Sequence, residues 1–262
     1  MRITILLFLL YTCTLLHAQE DEANQHLREA LSRGSVLPQE LKDSLQGKDF
    51  STLWTITPNS QVYGFIGDDY QRLRVKLLSV IKDVADPTVY RVYGKDMVKT
   101  NVCEFQGEFK IATIRQYYDI SYGVDHAYRD SSIQGRFVVC GTYRLLENPE
   151  QRHVGLLTGS FASYFYIDRT GSVRWDNIEA GMDSYCNNQF VGTWTSYDGR
   201  QTKRCNWGDE RIPGSGKLDI GAGIFSPDDK YLPFGWQTYR DAYFGSAPNE
   251  KASAIESADW WK

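Results

Sequence analysis

The sequence predicts an all-β chain: an antiparallel sheet, barrel-like or sandwich, with a short N-terminal helical segment behind a signal peptide. Three observations carry this. Short runs of alternating apolar and polar residues follow one another from Trp54 onward, and turn residues separate them. No helix-length periodic segment intervenes between these runs, which disfavours a parallel sheet. An apolar-x-Gly-x-aromatic unit also recurs four times. Its copies are Phe105-Gln-Gly-Glu-Phe109, Ile133-Gln-Gly-Arg-Phe137, Leu157-Thr-Gly-Ser-Phe161 and Phe190-Val-Gly-Thr-Trp194. Residues two apart on a strand share a face. Each unit therefore sets an apolar group, a glycine and a ring on one side, where the missing Cβ lets a ring lie over the backbone or the strand bend. A coiled or closed sheet lined by these rings is expected.

The elements follow in order. Residues 1–18 read as a signal peptide, with Arg2 before the apolar run Ile3 to Leu16 and Ala18 before an acidic stretch. The apolar run is too short to span a bilayer as a helix. The expected location is therefore outside the cytoplasm, periplasmic or extracellular. Residues 19–48 form a helical preface: Ala23, Leu27, Ala30 and Leu31 keep helical spacing to Gly34, and Pro38 opens a second short helix ending before Gly47. Residues 49–262 are expected to form one antiparallel β domain with a C-terminal aromatic tail, Asp259-Trp-Trp-Lys262. Arg72, Arg74 and Lys76 alternate with Leu73, Val75 and Leu77, a strand with one wet face. Further strands are expected over 89–93, 108–117, 136–146, 155–167, 172–178, 189–197 and 202–212. Turns are expected at Glu147–Glu150, Asp168–Gly171 and Asp198-Gly199.

Loss of the leader moves the formal charge from −4 to −5, because Arg2 leaves with it. With no basic block, a nucleic-acid partner is not expected, and no later stretch is apolar enough for a transmembrane segment. Four cysteines remain: Cys103, Cys140, Cys186 and Cys205. An even number in an exported chain suggests disulfides, with three pairings open and 103–140 plus 186–205 preferred. A hairpin turning at Asp198-Gly199 sets Cys205 against Gly192. The second bridge thus requires Cys186 to fold back in a loop. Buried free thiols are the alternative.

Chemistry is sparse. His26, His126 and His153 show no metal-ligand spacing, so neither a zinc site nor a cofactor is expected. Gly214-Ser-Gly-Lys217 lacks the hydroxyl residue and leading glycine of a phosphate loop. Asn187-Asn-Gln-Phe-Val-Gly-Thr-Trp194 resembles the opening-strand signature of lipocalins, whose Gly-x-Trp motif seals one barrel end. The likeness covers eight residues; in that family the motif begins the barrel, whereas here only 68 residues follow it, too few for eight strands.

Aromatics and acids crowd together after Cys186. Trp207, Asp209, Asp219, Tyr231 and Trp236 are the candidate ligand-binding residues, an aromatic-acidic surface for a glycan or protein partner. On this reading the protein is a non-catalytic binding module. The alternatives are a polysaccharide hydrolase working through Asp209, Glu210, Asp219 or Asp228, and a barrel carrying a small apolar ligand. The bland reading of the same aspartates is that they make turns, and of the rings that they fill a core.

Overall fold

A computed structural model describes residues 22–129, 132–245 and 249–262. The leader and Cys13 lie outside the described residues. Nine strands form one antiparallel sheet: β1 Val62–Ile66, β2 Gln71–Lys82, β3 Val89–Val98, β4 Asn101–Gln116, β5 Gly135–Glu147, β6 Gly155–Ile167, β7 Val173–Trp175, β8 Asn187–Ser196 and β9 Thr202–Asp209. Pairing runs from β1 through β6 in sequence order, then β6 to β8, β8 to β9 and β9 back to β1. Eight strands thus close into an up-and-down barrel, and β7 pairs with the end of β6 outside the ring. Closure removes the unpaired edges that an open sheet would expose.

The four glycine units all fall on barrel strands, β4, β5 (Ile133 just before it), β6 and β8, with their rings inward. Their glycines are places of close approach. Gly159 faces Gly192 across the β6–β8 ladder and Tyr143 across β5–β6. A Cβ on Gly192 would sit 2.0 Å from the Thr158 carbonyl oxygen and 2.5 Å from the Tyr143 hydroxyl. Only glycine lets that phenol lie across both strands.

The inner face is a ring-filled core. Phe190 and Trp207 stack with centroids 4.6 Å apart, and Tyr143 meets Trp207 edge-on at 5.0 Å. Two further clusters lie on the outer wall. A helix over residues 22–32 (α1) sets Ala30, with Leu27 and Leu31 beside it, against Val138, Cys140, Ala162 and Tyr164 of β5 and β6. The expected second preface helix is only α2, Lys42–Leu45. On the opposite wall, residues 212–239 pack Phe225, Tyr231, Trp236 and Tyr239 against Tyr63 and Phe65 of β1. The helices α3 (Gln237–Tyr243) and α4 (Glu250–Ser257) follow.

This outer layer corrects the expected wet face of β2. Arg72 is buried, its guanidinium bidentate to Glu256 at 2.8 and 2.6 Å, and Arg74 donates to the same carboxylate at 2.9 Å. The buried charges are tolerated because they are paired and hydrogen-bonded. The aromatic tail docks on the barrel: Trp260 Nε1 donates to Asn59 Oδ1 at 2.7 Å, and Lys76 Nζ lies 5.0 Å from the Trp261 ring centre.

The four cysteines are free thiols, so the expected bridges are corrected. Cys140 faces Thr113 on β4, ten residues beyond Cys103 and roughly 33 Å away at strand rise. Cys186 precedes β8 and does not fold back on Cys205, which stays inside the barrel wall.

Candidate functional site at the open end of the barrel

The two ends of the barrel are built differently. At one end the long connections meet, and the segment from Phe50 to Gln61 crosses beneath the strands as two short 3-10 turns, Ser51–Trp54 and Asn59–Gln61. Phe50, Leu53 and Trp54 plug the interior. Trp54 lies edge-on to Tyr90, Phe109 and Phe161, and its Nε1 donates to Ser163 Oγ at 3.0 Å. Asn188 Nδ2 ties the plug to the wall through the Leu53 carbonyl at 2.8 Å.

At the other end four hairpins, β1–β2, β3–β4, β5–β6 and β8–β9, surround a cavity of about 700 Å³. Its wall mixes apolar side chains, Ile66, Leu73, Val98, Leu157 and Trp194, with polar ones such as Gln71, Asn101 and Gln201; its rim is charged, with Asp69, Lys99, Asp198 and Lys203. Asp96 and Glu147 lie at its floor.

Strand register brings these acids together. Asp96 on β3 pairs with Cys103 on β4, and Glu147 on β5 pairs with Phe105, two residues along. All three side chains therefore point inward at neighbouring positions. A carboxylate oxygen of each acid and the Cys103 sulfur lie within 4.8 Å of one another, and all three residues are buried. The two carboxyls face each other, and each raises the cost of ionising the other. Glu147 Oε2 also accepts from Trp194 Nε1 at 2.7 Å and from the Gly155 amide. Asn101 Nδ2 donates to Cys103 Sγ at 3.1 Å. Asp96 Oδ2 is buried with no hydrogen-bond partner.

Burial, reinforced by the neighbouring Glu147 charge, raises the Asp96 carboxyl well above the usual range; burial likewise raises Glu147. The same desolvation pushes the Cys103 thiol up to about 12. Burial and the like charge alongside thus both favour the protonated form of the pair.

The residues expected to form a surface lie elsewhere: Trp207, Asp209, Tyr231 and Trp236 are buried, and Asp219 is half-buried. Trp207 is inside the barrel, whereas Tyr231 and Trp236 belong to the outer cluster, so the five do not meet on one groove. The reason is that β9 is covered on both sides, by the core within and the 212–239 segment without. Asp209 sits at the plugged end, its Oδ2 accepting from Thr57 Oγ1 and Asn188 Nδ2, each at 2.7 Å. Burial raises its carboxyl to about 7. Asp219 pairs with Arg211 at 2.5 Å and accepts from the amides of Gly221 and Ser226. Asp228 accepts from the Lys230 amide, as a helix cap does. Glu210 continues from β9 with φ of +62°. Asp219 and Asp228 thus serve turns and caps.

Asp96, Cys103 and Glu147 were not among the expected site residues. Glu147 reads as part of a turn, and Asp96 lies beyond the expected strand end at Tyr93. The available signal is an acid in the inward register, after Tyr90, Val92 and Gly94. The Gly192-x-Trp194 motif lies on the seventh barrel strand, and its tryptophan stands at the open mouth rather than sealing the plugged end.

No family model, no curated protein and no solved structure matches this chain. No helix among the described residues is long and apolar enough to cross a membrane.

Proposed function

We propose that the protein is a non-catalytic binding barrel that takes a small molecule into its open mouth. One observation carries the reading: the barrel is plugged at one end and open at the other onto a cavity of about 700 Å³ whose wall is part apolar and part polar, with two acids at its floor. Cavities of roughly 300–1,000 Å³ with apolar lining and a few convergent polar groups suit small ligands. The complementary ligand has an apolar body to lie against Trp194, Leu157 and Leu73, and a group that answers the acids.

The packed interior limits this reading. Rings fill the barrel below the floor, so the ligand occupies the mouth and does not thread the barrel. A glycosidase reading finds less support. Asp96 and Glu147 have carboxylate oxygens within 4.8 Å of each other, which leaves no room for a sugar between them, whereas glycosidases hold theirs roughly 5–10 Å apart. The predicted leader suits an exported carrier.

The test is a thermal-shift screen of amphipathic small molecules, repeated on Lys203→Trp. Lys203 is exposed, with Nζ 6.0 Å from the Trp194 ring centre, so an indole there covers the mouth without entering the core. A ligand that stabilises the wild type and loses at least about tenfold affinity in Lys203→Trp is expected, since filling a pocket removes its apolar contact. Ligands that bind both proteins equally contradict the mouth assignment.

A further inference from the structure

We infer that Asp96, Cys103 and Glu147 form a binding site for one divalent metal ion of the zinc type at the floor of the mouth. Three strands bring two carboxylate oxygens and a sulfur within 4.8 Å of one another. Tetrahedral zinc, with bonds of about 2.0 Å to oxygen and 2.3 Å to sulfur, sets its ligand atoms roughly 3.3–3.5 Å apart. Small side-chain rotations thus suffice to close the set.

A second observation points to a missing ligand. Asp96 is 3 % exposed, yet its Oδ2 has no hydrogen-bond partner, and it borders the cavity. An orphaned carboxylate oxygen at such depth costs free energy unless something binds it. The Cys103 sulfur accepts from Asn101 and reaches the Arg152 carbonyl at 3.6 Å, whereas no donor reaches Asp96 Oδ2. A metal ion answers all three atoms.

The donor set narrows the ion. Calcium and magnesium take oxygen ligands, six or more for calcium, whereas a thiolate beside carboxylates favours a borderline ion such as Zn²⁺. Asn101 Nδ2, at 3.1 Å from Cys103 Sγ and 3.0 Å from the Arg152 carbonyl, orients the sulfur. Such supporting hydrogen bonds hold metal ligands in place. Three protein ligands leave a fourth position, which faces the cavity because Asp96 and Glu147 line it. The expectation that the chain has no zinc site came from histidine spacing along the sequence. These ligands come instead from across three strands.

That the fourth position receives a bound small molecule rests on the mouth reading above; the metal site itself does not. The experiment is a Co²⁺ titration of the metal-stripped protein. The expected result is uptake of one equivalent, with a thiolate-to-cobalt charge-transfer band in the near ultraviolet, displaced by Zn²⁺ and accompanied by proton release. Cys103→Ser should abolish the band, and Cys205→Ser, which alters another thiol of the same cavity, should retain it. Asp96→Asn should weaken Co²⁺ binding by at least about tenfold, which decides the matter if Cys103→Ser does not fold. No uptake by the folded wild type, or a band that survives Cys103→Ser, overturns the inference. Binding of an organic ligand in the presence of a chelator, with no Co²⁺ uptake, would sink the metal site and leave the mouth reading standing. Co²⁺ uptake with ligands indifferent to Lys203→Trp would do the reverse.

Discussion

The two ends of the barrel each hold a buried acid, and the two acids are treated in opposite ways. At the plugged end Asp209 receives two hydrogen bonds on one oxygen, beneath a tryptophan held edge-on by three rings. At the mouth Asp96 faces a second acid and keeps one oxygen without a partner. Burying an acid is costly in both places. At the plugged end two donors offset that cost for Asp209, whereas at the mouth no donor reaches Asp96 Oδ2. Uncompensated polar groups beside a cavity mark a site adapted to bind something rather than to fold.

The contrast can be broken by mutation. The largest effect is expected at the plug: Trp54→Ala should destabilise by about 3–5 kcal/mol, the usual cost of truncating a packed aromatic, read from chemical denaturation. A smaller loss would mean that the segment covers the barrel without sealing it.

Asp209 sharpens the comparison through pH. Its carboxyl titrates near 7 when folded, against about 3.9 in the unfolded chain. A raised acid stabilises the fold fully below the unfolded value, and that contribution is lost as pH rises through the folded one. The wild type should therefore lose about 2 kcal/mol between pH 5 and pH 8 through this group, and Asp209→Asn should remove that part of the slope. Equal slopes in both proteins, measured by urea unfolding across this range, would contradict the assignment.

The smallest effect has the opposite sign. In the metal-free protein Asp96→Asn relieves two acids in contact and breaks no hydrogen bond to its orphaned oxygen. It should therefore stabilise the fold by about 1 kcal/mol, seen as a raised midpoint in urea. Destabilisation there would mean that the mouth is built like the plug.

An antiparallel β fold, barrel-like or sandwich, was legible in the sequence, because alternation and the glycine units report directly on a strand's inward face. Phe105, Leu157 and Phe190 lie on the side their spacing assigns them. The site was not legible. Asp96 and Glu147 are 51 residues apart in the chain and meet only through the β3–β4–β5 register. The density of tryptophan and acid around Trp207 looked like a surface, because sequence does not show that residues 212–239 return to cover the outer wall. Arg72 misled in the same way: an outward arginine reads as wet until Glu256, 184 residues later, is laid over it.

The most direct test sets the two ends against each other with a matched pair of tryptophans. One is Lys203→Trp at the mouth; the other is Ile56→Trp on the plug segment, where Ile56 is 59 % exposed. Calorimetric titration of both variants with the ligand found by thermal shift should show binding lost in the first and unchanged in the second. Unchanged binding at the mouth variant, or loss at the plug variant, would contradict the account of which end receives a ligand.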